Sequence, residues 1–322
     1  ACALPIYNAT NNFTGAVSSS GANVSLTDGA GGLVLGATSA TGTLSVTSTG
    51  GAIAQVSQNP SDAITAVGSA TFTASNGATP ETRYNVTLTN PNNDFGTLNV
   101  TGGRVTNVSG WLGYSSSDLG TDTVSSGTWA SSGNLYVGVF GGTGTLNVTG
   151  GSVINTGCYL AAFADSVGTA TVSSGTWANS GSLTVGGDGT GTLTMSGGLV
   201  TVGGMLSKGS YGTINLNTGG TLQIGTGGNT GSLDTNLTNN GTLVFNRAGA
   251  MTYSGTTFGN GRFVNEGPGT VTIGGAVIAY GGATIRSGTV VVPDGGFVLN
   301  NTTNDPIVIG DSSGDEIGRA HV

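Results

Sequence analysis

Between residues 96 and 220 hydrophobic and polar side chains alternate in short runs, and the runs return at a nearly fixed interval. Gly-Thr pairs open them at Gly96, Gly120, Gly144, Gly168 and Gly191, a spacing of about 24 residues. In GTLNVTGG at Gly96 and Gly144, GTLTMSGG at Gly191 and GTINLNTGG at Gly212, alternation puts Leu98 and Val100, Leu146 and Val148, Leu193 and Met195, and Ile214 and Leu216 on one face. Thr97 and Asn99, Thr145 and Asn147, and Thr192 and Thr194 take the other. A period of two is that of a strand, so the aliphatic face points inward. A second strand follows about 15 residues into several units, as LYVG at Leu135, LTVG at Leu183, WLG at Trp111 and YLA at Tyr159. Gly and Ser clusters between the strands supply corners.

A fixed repeat of this length marks a stacked architecture, in which each unit leaves open a face that only the next unit covers. Nothing in the units has helical spacing. The expected fold is therefore all-β: a parallel β-helix, or β-solenoid, with rungs of about 24 residues spaced about 4.8 Å apart. VSSGTW recurs at Val124 and Val172, and GTLNVTGG at Gly96 and Gly144, in each case two rungs on, so the true repeat is a pair of rungs. The few aliphatic side chains of one rung bury too little surface to offset ordering its backbone. Single rungs should not fold alone.

The periodicity divides the chain. Residues 1–95 read as irregular rungs with a loop insertion, since GTLSVTSTGG at Gly42 resembles a rung while residues 57–94 hold Pro60, Pro80, Pro91 and several Asn. Residues 96–220 are the regular repeats. Residues 221–315 carry shorter strands between Gly turns, as in NNGTLVF at Asn239 and GPGTVTIGG at Gly267. Residues 316–322, EIGRAHV, resemble the translation of a sequencing-adapter read-through and take His321, the sole histidine, out of consideration.

Composition narrows the function. Gly supplies 62 of 322 residues, yet hydrophobic residues reach 36%, enough for a thin core rather than disorder. A net charge of −8 with seven Lys and Arg scattered singly leaves no basic stripe for phosphates, which argues against nucleic acid as a partner. Cys2 and Cys158 stand too far apart in the repeat to suggest a structural disulfide. No apolar run approaches the roughly 18 residues of a membrane span, and residues 1–10 lack the features of a signal peptide.

Six side chains stand out as contact candidates: Asp94, Asp118, Asp165, Asp188, Trp129 and Trp177. Asp94 and Asp118 sit two residues before a repeat Gly, and Asp165 and Asp188 three before one. Carboxylates at equal phase stack from rung to rung. The plain reading is that Asp suits a solvated corner. Ligation of Ca²⁺ with corner carbonyls, or a retaining glycosidase pair, are the sharper alternatives. Trp129 and Trp177 recur two rungs apart; outward they would form a stacking platform for sugars, inward they would plug wider rungs, and a thin core needs their volume. Asp122 takes the place held by Leu98, Leu146 and Leu193. A buried charge there is costly, so a local shift of the strand or a rim position is expected. Neither GxSxG, HExxH, a P-loop nor paired CxxC occurs, and with no usable His and a single Lys no catalytic, cofactor or metal residues are assigned. The expectation is a non-enzymatic protein without cofactors.

The C-terminal strands carry a resemblance. GPGTVTI at Gly267, then Tyr280-Gly281-Gly282-Ala283-Thr284-Ile285 and Ser287-Gly288-Thr289-Val290-Val291-Val292, resembles the autotransporter-associated β-strand repeat of bacterial autotransporter passenger domains. NNGTLVF with Tyr253-Ser254-Gly255-Thr256 looks like a weaker copy, and the regular rungs of residues 96–220 are similar to other passenger repeats. The resemblance implies a right-handed β-helix, secreted or held at the bacterial cell surface (outer membrane). It also implies adhesive roles, with glycans or proteins of a host surface or extracellular matrix as partners. The sequence departs from the family in that no translocating β-barrel follows the repeats within it. The rival reading is a carbohydrate-active or glycan-binding β-helix that uses stacked Asp and exposed Trp.

Overall fold

The computed structural model describes residues 4–6, 11–29, 31–57, 59–74, 85–88, 94–279, 281–292, 297–298 and 308–309. Parts of the segment expected to hold a loop insertion, and residues 316–322, lie outside the described residues. Apart from one 3-10 turn, Pro60–Asp62, every regular element among them is a β-strand, and every strand pairing is parallel. The chain is a β-solenoid. Its inward column reads Ala70, Leu98, Asp122, Leu146, Ala170, Leu193 and Ile214, each opposite the next in register.

That register measures the rungs directly. From Leu98 to Asp122, Leu146 and Ala170 the numbering rises by 24 at each step, and from Ala170 to Leu193 by 23. Toward the ends the coil tightens: Leu4 to Val24 to Leu44, and Leu243 to Phe263 to Ala283, are steps of 20. Between them, Leu44 to Ala70 is 26 and Ala70 to Leu98 is 28. The regular rung of the sequence repeat is thus a property of the middle of the rod.

Three strand segments make up each middle turn. The long strands Asp94–Asn107, Leu119–Ser131, Thr143–Asn155 and Val167–Asn179 cover two faces, with register shifts where they bend. Gly175 shows why the bend needs glycine: its φ is +79°, and a Cβ there would lie 2.2 Å from the carbonyl oxygen of Gly151 in the rung below. A third face is a six-stranded sheet of three- and four-residue strands, beginning with Gly110–Leu112, Leu135–Val137 and Cys158–Leu160. The ladder runs unbroken through residues 95 and 220, where the sequence pattern changes.

Leu98, Leu146 and Leu193 line one interior, as alternation requires, and each buried aliphatic side chain contributes about 1.5–3 kcal/mol. Asp122 corrects the expectation of a shifted strand. It keeps strict register between Leu98 and Leu146 and is 5% exposed, inside the apolar column. Its Oδ1 accepts the backbone N–H of Leu98 at 2.9 Å. Burial pushes the carboxyl up to about 8, against the smaller opposing effect of that hydrogen bond. Near neutral pH the group is therefore mostly protonated, and the cost of a buried charge is avoided by losing the charge.

Candidate functional site

The third face carries the feature that distinguishes the exterior. In each of its first three strands the outer residues are buried, so the middle residue faces out: Trp111, Tyr136 and Tyr159. Parallel register sets these three directly opposite one another. The rings of Trp111 and Tyr136 stack at 4.0 Å between centroids with planes 8° apart, and those of Tyr136 and Tyr159 at 5.3 Å and 9°. The rung spacing of a parallel sheet is close to a ring stacking distance, so equal phase is enough to build the column.

A second column stands at the adjoining corner. Tyr114, Phe140 and Phe163 follow the ladder residues by three or four positions; Phe140 stacks on Phe163 at 4.4 Å, and Tyr114 meets both Trp111 and Phe140 edge to face. Phe140 is 49% exposed although its φ is +49°, a left-handed conformation that costs a bulky residue on the order of 1–2 kcal/mol. Ala161 and Asp165 adopt the same conformation in the neighbouring loop. Leu119 and Val167 are exposed at equal phase two rungs apart, with Thr143 between them. Six of the chain's 20 aromatic residues gather here, on a rod whose other outward strand positions are mostly Thr, Asn and Ser.

Of the residues singled out in the sequence, the two Trp lie inside the rod, as the volume of a thin core favours, and Asp118, Asp165 and Asp188 lie in corner loops. Trp129 and Trp177 are 2% and 0% exposed, which removes the exposed sugar platform they could have formed. Their indole N–H groups donate to Oδ1 of Asn107 and Asn155, at 3.1 and 2.6 Å, one rung below. Asp118 is half-buried and closes its own turn, accepting from Ser115 N at 3.0 Å and Ser115 Oγ at 2.8 Å. Asp165 and Asp188 are exposed at equal phase, each two residues before the paired Val167 and Thr190, so one rung separates them. Neither makes a side-chain hydrogen bond or ion pair among the described residues. Asp94 begins its strand opposite Thr65, and its side chain lies outside the described residues.

Stacking turns most ring faces toward one another and leaves ring edges to solvent, and Asp118, Asp165 and Asp188 lie in the loops of the same corner. Among the described residues no three His, Cys, Asp or Glu side chains gather to hold a metal ion. No helix among them is long and apolar enough to cross a membrane. The sequence pattern marks the segments at Trp111, Leu135 and Tyr159 as strands without giving their aromatic residues a role. The signal was present: with Leu135 and Val137 inward, Tyr136 between them must face out.

Residues 21–102, about a quarter of the chain, match a family model described as repeats of unknown function, DUF5649. A stretch of 44 residues, 14% of the chain, is 59% identical to the adhesin BmaC autotransporter of Brucella suis biovar 1 (strain 1330). That stretch spans 1% of the adhesin's length. No solved structure matches the chain. The chain is thus similar, over a short part of its length, to an autotransporter adhesin.

Proposed function

We propose that this chain is a non-enzymatic scaffold of the passenger type, displayed at the bacterial surface or secreted, whose rod holds an adhesive corner away from the cell. The observation that carries the reading is the aromatic strip of two columns, six rings in mutual contact on the exterior of the rod. Exposed apolar surface of this kind is costly to keep in water and marks contact sites. The similarity to an adhesin supports a surface location. The engagement of Asp118 in its own turn, and the separation of Asp165 and Asp188 from any buried partner, support binding over catalysis.

The test has two parts. An antibody against the protein is expected to label intact, unpermeabilised cells that produce it; labelling only after permeabilisation would overturn the surface assignment. Beads coated with the purified protein are expected to adhere to extracellular-matrix material, and beads carrying Phe140→Asn with Phe163→Ser to adhere far less. Equal adhesion by both would overturn the role of the corner.

A further inference from the structure

We infer that the aromatic corner docks a cationic segment of a partner protein, a run rich in Arg or Lys. The inference rests on the surface-scaffold reading and names the partner chemistry of the same site. Its basis is charge and ring geometry together. Between Arg104 and Lys208 the sequence contains no cation, while Asp118 and Asp165 share the loops of Tyr114 and Phe163, Asp188 lies in the loop of the next rung, and the chain carries −8 overall. The fourth acidic residue of that stretch, Asp122, is buried inside the rod.

Ring geometry then selects among partners. A sugar ring stacks on an open aromatic face, but the faces of Trp111, Tyr136 and Tyr159 are turned on one another with planes 8° and 9° apart. Ring edges instead accept the aliphatic stems of Arg and Lys, whose charged heads reach past the apolar surface to a carboxylate. Phe163, at 42% exposure, and exposed Asp165 two residues later belong to the same loop and offer the two kinds of surface there. A purely apolar partner would strip water from the carboxylates without pairing them. A second copy of this chain meeting the same corner would set Asp165 and Asp188 against their own counterparts. Anionic partners are repelled at long range.

Decaarginine, a decamer of alternating Gly and Ser, and a neutral linear oligosaccharide serve as probes of the purified chain, with affinity measured at low and at physiological salt. Decaarginine is expected to bind and to weaken as salt rises. Asp165→Asn with Asp188→Asn should weaken it about tenfold, and Phe140→Asn with Phe163→Ser by a similar factor. Glu266→Gln, which removes a charge from an exposed ion pair with Arg286 elsewhere on the rod, should change it less than about twofold. Asn suits the left-handed backbone at positions 140 and 165, so these variants are expected to fold, as circular dichroism will verify.

Three results would overturn the inference: no decaarginine binding, equal losses in the corner variants and Glu266→Gln, or oligosaccharide binding that the corner variants abolish. Surface labelling of cells separates the two levels. Labelled cells with a corner indifferent to decaarginine would remove the partner chemistry and leave the scaffold reading standing.

Discussion

The indole N–H of Trp177 donates to Oδ1 of Asn155 at 2.6 Å, across one rung of the coil. Both side chains are buried, and Asn155 Nδ2 donates in turn to the carbonyl of Gly157 at 2.8 Å and to Oδ1 of Asn179. Trp129 and Asn107 repeat the arrangement two rungs earlier. The two-rung period follows from this pairing. A Trp in one rung lies against Val in the next, Trp129 beside Val153 and Trp177 beside Val153 and Val200, and needs an acceptor in the rung below.

Removing that acceptor should be costly. Asn155→Ala takes the acceptor from the buried indole N–H and the donor from Oδ1 of the buried Asn179, and a loss of about 2–4 kcal/mol is expected in urea unfolding. Trp177→Phe combined with Asn155→Ala should lose less than the sum of the single changes, because the stranded donor is gone. Additive losses would show that the two side chains do not act as a unit.

Asp122 makes stability depend on pH in a defined direction. Its folded-state value of about 8 lies above the ordinary 3.8, so the folded chain holds a proton that the unfolded chain releases. Its contribution is fully present below about pH 4, declines as pH rises toward 8, and levels off above. Asp122→Leu, which restores the aliphatic column, is expected to raise the melting temperature at pH 8 and flatten this slope. A variant with the same slope as the parent would assign the dependence to other groups.

At Gly175 the bend leaves no room for a side chain. Gly175→Ala meets both a positive φ and the Gly151 carbonyl, and should lower stability by at least about 1–2 kcal/mol. Hydrogen exchange should locate the loosening in the strands Thr143–Asn155 and Val167–Asn179. Unchanged protection there would mean that the bend relaxes freely.

Cys158 faces inward between Leu135 and Leu183 as a free thiol, and burial raises its pKa. It should resist a thiol reagent in the folded protein and react on unfolding, and Cys158→Val should preserve the fold. Mass spectrometry of the labelled chain distinguishes it from Cys2. Rapid labelling of Cys158 under native conditions would contradict the sealed interior.

The stacked architecture and the placement of Leu98, Leu146 and Leu193 were legible in the sequence, because a strand's alternation and a long, even repeat admit few geometries. The inward direction of Trp129 and Trp177 was favoured by the volume a thin core needs, but alternation did not show it. Each lies beyond a glycine bend, at Gly127 or Gly175, which interrupts the alternation counted from Val124 or Val172. The aromatic columns escaped for a related reason: Trp111, Tyr136 and Tyr159 are unevenly spaced along the chain, off the repeat that the Gly-Thr pairs keep, and only paired strands bring them into phase.

Asp122 was placed correctly by its position and misjudged by its chemistry, since a charge that would have forced the strand aside is relieved by a proton and the Leu98 amide. Alternation and period by themselves determined that the chain coils and which strand faces are dry. Tertiary structure decided which aromatic residues fill the interior and which form the outer strip. Those outcomes depend on bends and rung-to-rung register, which local sequence does not contain.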